Sequence, residues 1–327
     1  MENKKSDYRV GVLTGIGSAV TWGIDTVLVG LVLAMSPFSS EGAIVLAPII
    51  TACFHDVFSA VWTFIYLALR GKLGPLVKAM KTRSGLVVAL AAIMGGPVGM
   101  TGYVMAIQYI GPSYTSIISS LYPAIGAVLA YFILKEKIGK KGWAGLLVAI
   151  FGICLIGYSP NEAGISVVGF IWAIVCAIGW GSESVICAIG MKDDEVSAES
   201  ALQIRQLTSG LVYAVLIVPI VGGIGISFEA LKTNSVWWLI AVALAGTASY
   251  LFYYQSIDKI GATKAMGLNA TNTIFAIIFD VLINGTQLSL KTIVCSLMVM
   301  GGVYFVAKAS AEVAAEEEET SSLVEAE

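Results

Sequence analysis

The feature that most constrains this chain is the spacing of its charges. Lys, Arg, Asp and Glu make up only 13% of the sequence, where soluble domains carry about 25%. They also cluster, leaving apolar runs of roughly 20 residues, the length that crosses a ~30 Å hydrocarbon core as helix. Inside such a core every backbone N–H and C=O must find its partner within the segment. The expected fold class is therefore all-α integral membrane. Ten segments can be delimited: 9–34, 43–69, 84–109, 112–134, 141–158, 165–190, 198–222, 235–257, 261–283 and 289–308. The first is too long for a cleavable signal, and no small-residue cleavage site followed by a soluble domain appears.

The distribution of Lys and Arg sets the expected orientation. With the N-terminus inside, the basic runs Lys4-Lys5, Arg70 to Arg83 and Lys135 to Lys141 are all cytoplasmic, as are Lys192, Lys259, Lys264 and Lys308. Only Lys232 and Lys291 fall outside, and Arg205 lies within a span. Both termini are then cytoplasmic, and residues 309–327, rich in Glu, read as a disordered acidic tail.

An internal repeat is visible. Thr21-Trp22-Gly23-Ile24-Asp25-Thr26-Val27 aligns with Gly179-Trp180-Gly181-Ser182-Glu183-Ser184-Val185. Further on, Tyr103 falls on Tyr253, Ile110-Gly111 on Ile260-Gly261 and Gly152 on Gly302, with a smaller offset that fits a longer connection after segment two. Residues 1–158 and 159–308 are expected to be two five-helix repeats. Five is odd, so the second copy enters the membrane from the opposite side. Inverted repeats of this kind characterise secondary transporters, whose two halves exchange conformations about a central site.

Intramembrane carboxylates are costly and invite a functional reading. Asp25 and Glu183 occupy equivalent places in the two repeats, each three residues after a tryptophan, which puts indole and carboxylate on one helix face. Inverted symmetry is expected to bring both faces to the centre. Tyr122, Tyr253 and Tyr254 are candidate aromatic walls there, with Tyr103 and Tyr250. Aromatic faces around one carboxylate suit a bulky cation, an attraction of ~2 kcal/mol when desolvated; a quaternary ammonium, with no N–H to donate, can be recognised in no better way. Each aromatic has the competing role of filling helix packing. His55-Asp56, mid-way along segment two, reads either as a proton-handling or gating pair or as a structural hydrogen bond. Arg205 is expected to pair with a carboxylate such as Glu136 or Asp56. Asn269 and Asn272 share a face of segment nine, and Asp280 is expected to snorkel outward.

Other chemistries fail. One histidine cannot build a His-based metal centre, and five scattered cysteines without C-x-x-C spacing read as small buried hydrophobes. No Walker loop, dinucleotide fingerprint or Ser/His/Asp constellation is present, so neither an enzyme nor a cofactor is expected. The basic loops are topology determinants and imply no nucleic-acid partner; oligomeric state is not encoded in any pattern found.

The strings His55-Asp56, Gly96-Pro97-Val98-Gly99-Met100, Tyr122-Pro123-Ala124-Ile125, Leu134-Lys135-Glu136, Trp180-Gly181-Ser182-Glu183-Ser184, Ile204-Arg205-Gln206, Tyr253-Tyr254 and Gly267-Leu268-Asn269 resemble the drug/metabolite transporter superfamily, EamA type. Within it they are most similar to the bacterial choline permeases of the LicB type. The resemblance implies ten spans in a bacterial inner membrane and import of choline or a related quaternary ammonium compound. It also implies an aromatic cage in which Trp22, Trp180 and Glu183 sit where the family's motifs run. Asp25 and Tyr103 depart from the choline-permease pattern, which leaves Asp25 to bind a proton, widen selectivity or face another helix. Export of amino acids or other small metabolites, common in the superfamily, is the alternative.

Overall fold

A computed structural model of the chain describes residues 2–157, 166–190, 196–260, 265 and 268–325. In chain order its helices are α1 (Glu2–Leu33), α2 (Ala47–Leu69), α3 (Leu73–Ala79), α4 (Arg83–Ile93), α5 (Thr101–Ser119), α6 (Tyr122–Ile133), α7 (Lys140–Gly157) and α8 (Val167–Gly190). There follow α9 (Ala198–Leu211), α10 (Val218–Ile220), α11 (Ile224–Lys232), α12 (Ser235–Ile260), α13 (Asn272–Asn284) and α14 (Leu290–Glu325). Wider π-helical turns, Met94–Met100 and Val212–Ile217, join α4 to α5 and α9 to α10. Among the described residues eight helices are long and apolar enough to cross a membrane, and α6 and α13 are shorter apolar helices. Large apolar side chains such as Val61, Phe64, Leu86, Leu90, Leu147 and Leu297 are exposed on the outside of the bundle, as a lipid-facing surface requires.

Two expectations are revised and a third is met with an addition. Segments 84–109 and 112–134 part at Gly111, as expected, but the second of them is itself broken. Helical structure runs from Arg83 to Ser119 through a break at Gly111 (φ 77°, ψ 169°), and α6 begins after a second break at residues 120–121. The physical cause at the first break is Gly111-Pro112: proline lacks an N–H, and only glycine takes that φ without strain. The freed N–H of Ser113 is capped by Asp280 (3.2 Å), which also accepts from Ser113 Oγ (2.5 Å) and from Asn284 Nδ2 (2.7 Å). Asp280 is therefore buried and does not snorkel: a helix N-terminus gives it partners within the protein. The acidic tail, expected to be disordered, continues α14 as helix to Glu325. Its Ala and Glu residues are strong helix formers, and the preceding span removes the nucleation cost.

The two halves correspond in detail. α6 and α13 start at residue numbers that differ by 150, as do the left-handed residues ending them, Lys135 (φ 61°) and Gly285 (φ 68°), and the first residues of α7 and α14. The extra length in the first half lies before segment two, in the connection 34–46, and not after it. Both halves carry a short helix after segment two, α3 and α11. Packing pairs also correspond: α1 lies on α12 and α13 as α8 lies on α4, α5 and α6, while α2 meets α9 and α7 meets α14. At the α7–α14 contact a Cβ on Gly145 would stand 2.6 Å from the carbonyl oxygen of Gly302, so small residues allow the two backbones to touch.

Candidate functional site

A cavity of about 330 Å³ lies where α1, α6, α8, α9 and α12 converge with the residues before α13. Trp22, Tyr122, Trp180, Glu183, Arg205, Tyr253, Tyr254 and Asn269 all line it, together with Tyr250, Ser249 and Asn272. Three residues expected near the centre or a gate lie elsewhere: Asp25, His55 and Asp56 do not line the cavity.

The aromatic walls form a connected set. Trp22 and Trp180, from equivalent positions in the two halves, meet nearly edge to face with centroids 5.6 Å apart. Tyr122 stands edge-on to Trp180 at 5.8 Å and Tyr250 edge-on to Trp22 at 5.6 Å, arrangements favoured by ring quadrupoles. Tyr103, fully buried, packs behind both indoles and hydrogen-bonds Thr26 at 2.6 Å. It supports the wall from outside the cavity. Tyr250 is a fuller member of the wall than its sequence context indicated.

Position and charge are set by the π-helical turn Met94–Met100. Pro97 inside it removes one backbone donor, and the wider turn accommodates the loss. Trp180 Nε1 donates to the carbonyl oxygen of Gly95 (3.1 Å). A Cβ at Gly95 would fall on the Glu183 carboxylate, and one at Gly99 would lie 2.6 Å from Trp180 Cδ1. These glycines are the space in which carboxylate and indole sit. Sequence reading missed that role, although the Gly-Gly-Pro-x-Gly string was its signal.

Arg205 pairs with Glu183, its Nε donating to Oε1 at 2.7 Å. The expected partners were Glu136 or Asp56. The helix arrangement decides otherwise, because α4 packs against both α8 and α9 and so brings Arg205 within reach of Glu183, while Glu136 lies beyond the end of α6. The Arg205 guanidinium also lies over the Tyr250 ring, 5.2 Å from its centroid. The ion pair leaves room beside it: both of its members still line the cavity.

A second polar cluster is buried along α1, α2 and α9. His55 bridges two carboxylates, Nε2 to Asp25 Oδ1 at 3.1 Å and Nδ1 to Asp56 Oδ1 at 3.0 Å, and Ser209 Oγ donates to Asp56 Oδ2. The Asp25–His55 and Glu183–Arg205 pairs thus join the first and second long spans of each half. Asp25 turns to His55 and away from the cavity because α12 offers no side chain at Gly246, where a Cβ would stand 2.8 Å from His55 Nε2. Among the described residues Asp25 Oδ2 has no hydrogen-bond partner and is buried, as is Thr247 Oγ1.

Beyond Trp22 along α1, the core closes over Val29, Val32, Phe38, Ile50, Tyr103 and Leu239, all without exposed surface. In the other direction a larger cavity of about 820 Å³ shares Ala198 and Tyr254 with the first and is bordered by Arg70, Lys72 and Glu199. Lys72 and Glu199 form an ion pair at 2.5 Å beside it. The aromatic cavity is bounded by buried core on one side and adjoins this polar cavity on another.

Comparison with known proteins places these observations. The model of the EamA-like transporter family matches residues 9–158 and again residues 167–308. Protein LicB of Haemophilus influenzae is 34% identical over 218 residues, spanning 66% of this chain and 73% of that protein. The riboflavin transporter ImpX of Fusobacterium nucleatum is 25% identical over 229 residues, covering 66% and 74%. An uncharacterized transporter of Bacillus subtilis, YoaV, is 22% identical over 222 residues, covering 66% and 73%. A solved crystal structure with 17% identity superposes with a TM-score of 0.59 over 92% of this chain and 98% of that one, a likeness of fold.

Proposed function

Since the chain belongs to the EamA-like transporter family, we propose that it is a secondary transporter importing choline or a related quaternary ammonium compound by alternating access. In this reading the chain crosses the bacterial inner membrane ten times, in two inverted repeats, 1–158 and 159–308, with both termini and the acidic segment 309–327 in the cytoplasm. The observation that carries it is the cavity that Trp22, Trp180, Tyr122 and Tyr250 line together with Glu183. Indole and phenol faces plus one carboxylate are what a cation without N–H donors can use.

Glu183 supplies the counter-charge and the two tryptophans the principal walls; Tyr253, Tyr254 and Asn269 complete the lining. The buried core beyond Trp22 and the polar cavity beside Lys72 and Arg70 are read as an inward-facing state. An inside-negative voltage favours entry of a monovalent cation by ~2.3 kcal/mol per 100 mV, roughly fiftyfold accumulation, so uptake is potential-driven even without a coupled ion. The Asp25–His55–Asp56 cluster is where a coupled proton would reside. It adjoins the cavity through Trp22, one turn from Asp25 on α1.

The test is equilibrium binding of choline to purified protein. The expected result is saturable binding that Glu183→Gln abolishes; indifference to choline in folded protein sinks the reading. One observation favours the alternative, export of amino acids or other small metabolites: a carboxylate and a guanidinium side by side in one cavity match the two ends of a zwitterion. Amino acids that compete where choline does not would select it.

A further inference from the structure

We propose that Arg205 is a tethered surrogate for the transported cation: in the empty carrier its guanidinium occupies the seat of the substrate ammonium, and substrate binding displaces it toward Asp56. The inference rests on the cation-binding reading above. The guanidinium makes both contacts expected of a caged cation. Its Nε donates to Glu183 at 2.7 Å, and it lies 5.2 Å from the centroid of Tyr250, whose ring packs edge-on against Trp22. An ammonium drawn to the same carboxylate and ring faces competes with it for them.

A second acceptor is in place. Gly95 and Gly96 are consecutive; a Cβ on the first would fall on the Glu183 carboxylate, and one on the second would meet Ser209 Oγ, with Asp56 Oδ2 behind it at 3.1 Å. The two carboxylates therefore flank one stretch of backbone, and the displacement proposed for Arg205 carries its guanidinium along it from one to the other. Displaced from Glu183, Arg205 remains paired.

The consequence concerns the return of the empty carrier. A carboxylate buried without a partner is costly in a membrane protein. If substrate alone neutralised Glu183, the carrier could change conformation only when loaded. With Arg205 taking the seat after release, Glu183 is paired in both halves of the cycle, and net transport becomes permitted.

The experiment uses purified and liposome-reconstituted full-length protein with choline as probe. Arg205→Gln keeps a hydrogen-bond donor toward Glu183 and removes the charge. Relief from a competitor that holds most of the empty seats is expected to tighten choline binding at least about fivefold. Net uptake falls at least about tenfold, while exchange of labelled for unlabelled choline, which needs no empty return, is reduced far less. Arg205→Lys retains a cation but loses the flat surface stacked on Tyr250, so it binds choline about two- to fivefold tighter and keeps net uptake; it carries the test where Arg205→Gln does not fold. Equal or weaker affinity in the folded variants, or parallel loss of net uptake and exchange, overturns the surrogate role. If choline binding is present in wild type and lost in Glu183→Gln, that failure falls on the surrogate role alone. Absence of choline binding in wild type fails the parent reading and this inference with it.

Discussion

Gly95→Ala separates the role of Glu183 from the stability of the bundle. The added methyl would occupy the space of the Glu183 carboxylate. That group is the far end of a flexible side chain, so it gives way where backbone would not. To reach an ordinary contact of ~3.5 Å the carboxylate retreats by on the order of 1.5 Å. At an effective dielectric of about 20, a charge pair loosened from ~4 to ~5.5 Å falls from roughly 4 to roughly 3 kcal/mol. The difference of about 1 kcal/mol corresponds to a five- to sevenfold weaker choline affinity. Gly301→Ala, where an added Cβ meets nothing within 4 Å, is the control and should bind as wild type. Isothermal titration of both variants with choline, alongside their melting curves, is the assay. Wild-type affinity in Gly95→Ala would mean that the position of this carboxylate does not matter to the ligand, and the electrostatic reasoning would fail.

Further outcomes are expected elsewhere. Trp180→Ala removes a cage face and should weaken choline binding by ~1–2 kcal/mol beyond any change in melting behaviour; binding of a neutral isostere of choline, weak in wild type, should be unaffected. Asp280→Ala uncaps Ser113 at the Gly111 break and should lower stability by about 1–3 kcal/mol, read as a lower melting temperature with unchanged choline affinity in the folded fraction. Asp25→Asn replaces the carboxylate on His55 Nε2; uptake driven by an imposed pH gradient should be lost while voltage-driven uptake persists, and equal loss of both would assign Asp25 a structural role.

Much of this architecture was legible in the sequence because bilayer thickness and charge placement act over whole segments. Most span limits lie within a few residues of the observed helices, and the Trp22 and Trp180 motifs, spaced three residues ahead of carboxylates, did converge as pairs of equivalent positions. What escaped depends on neighbours distant in sequence. The boundary at Gly111 was expected, but the cap that Asp280 places on Ser113 from another helix was not. Arg205 pairs with Glu183 because α8 and α9 both pack on α4, a matter of packing that no local pattern encodes. Asp25 looked equivalent to Glu183, yet a glycine on α12 lets it turn to His55. The helical tail, by contrast, was locally encoded: its alanines and glutamates favour helix, and high charge was given too much weight against that propensity.

Flux of radiolabelled choline into liposomes holding the reconstituted protein, with a potassium-diffusion potential negative inside, addresses the main claim most directly. Saturable uptake that rises with the imposed voltage and vanishes in Glu183→Gln is the outcome expected of a caged permanent cation. Uptake no greater than in protein-free liposomes, from protein shown to be folded, would contradict it.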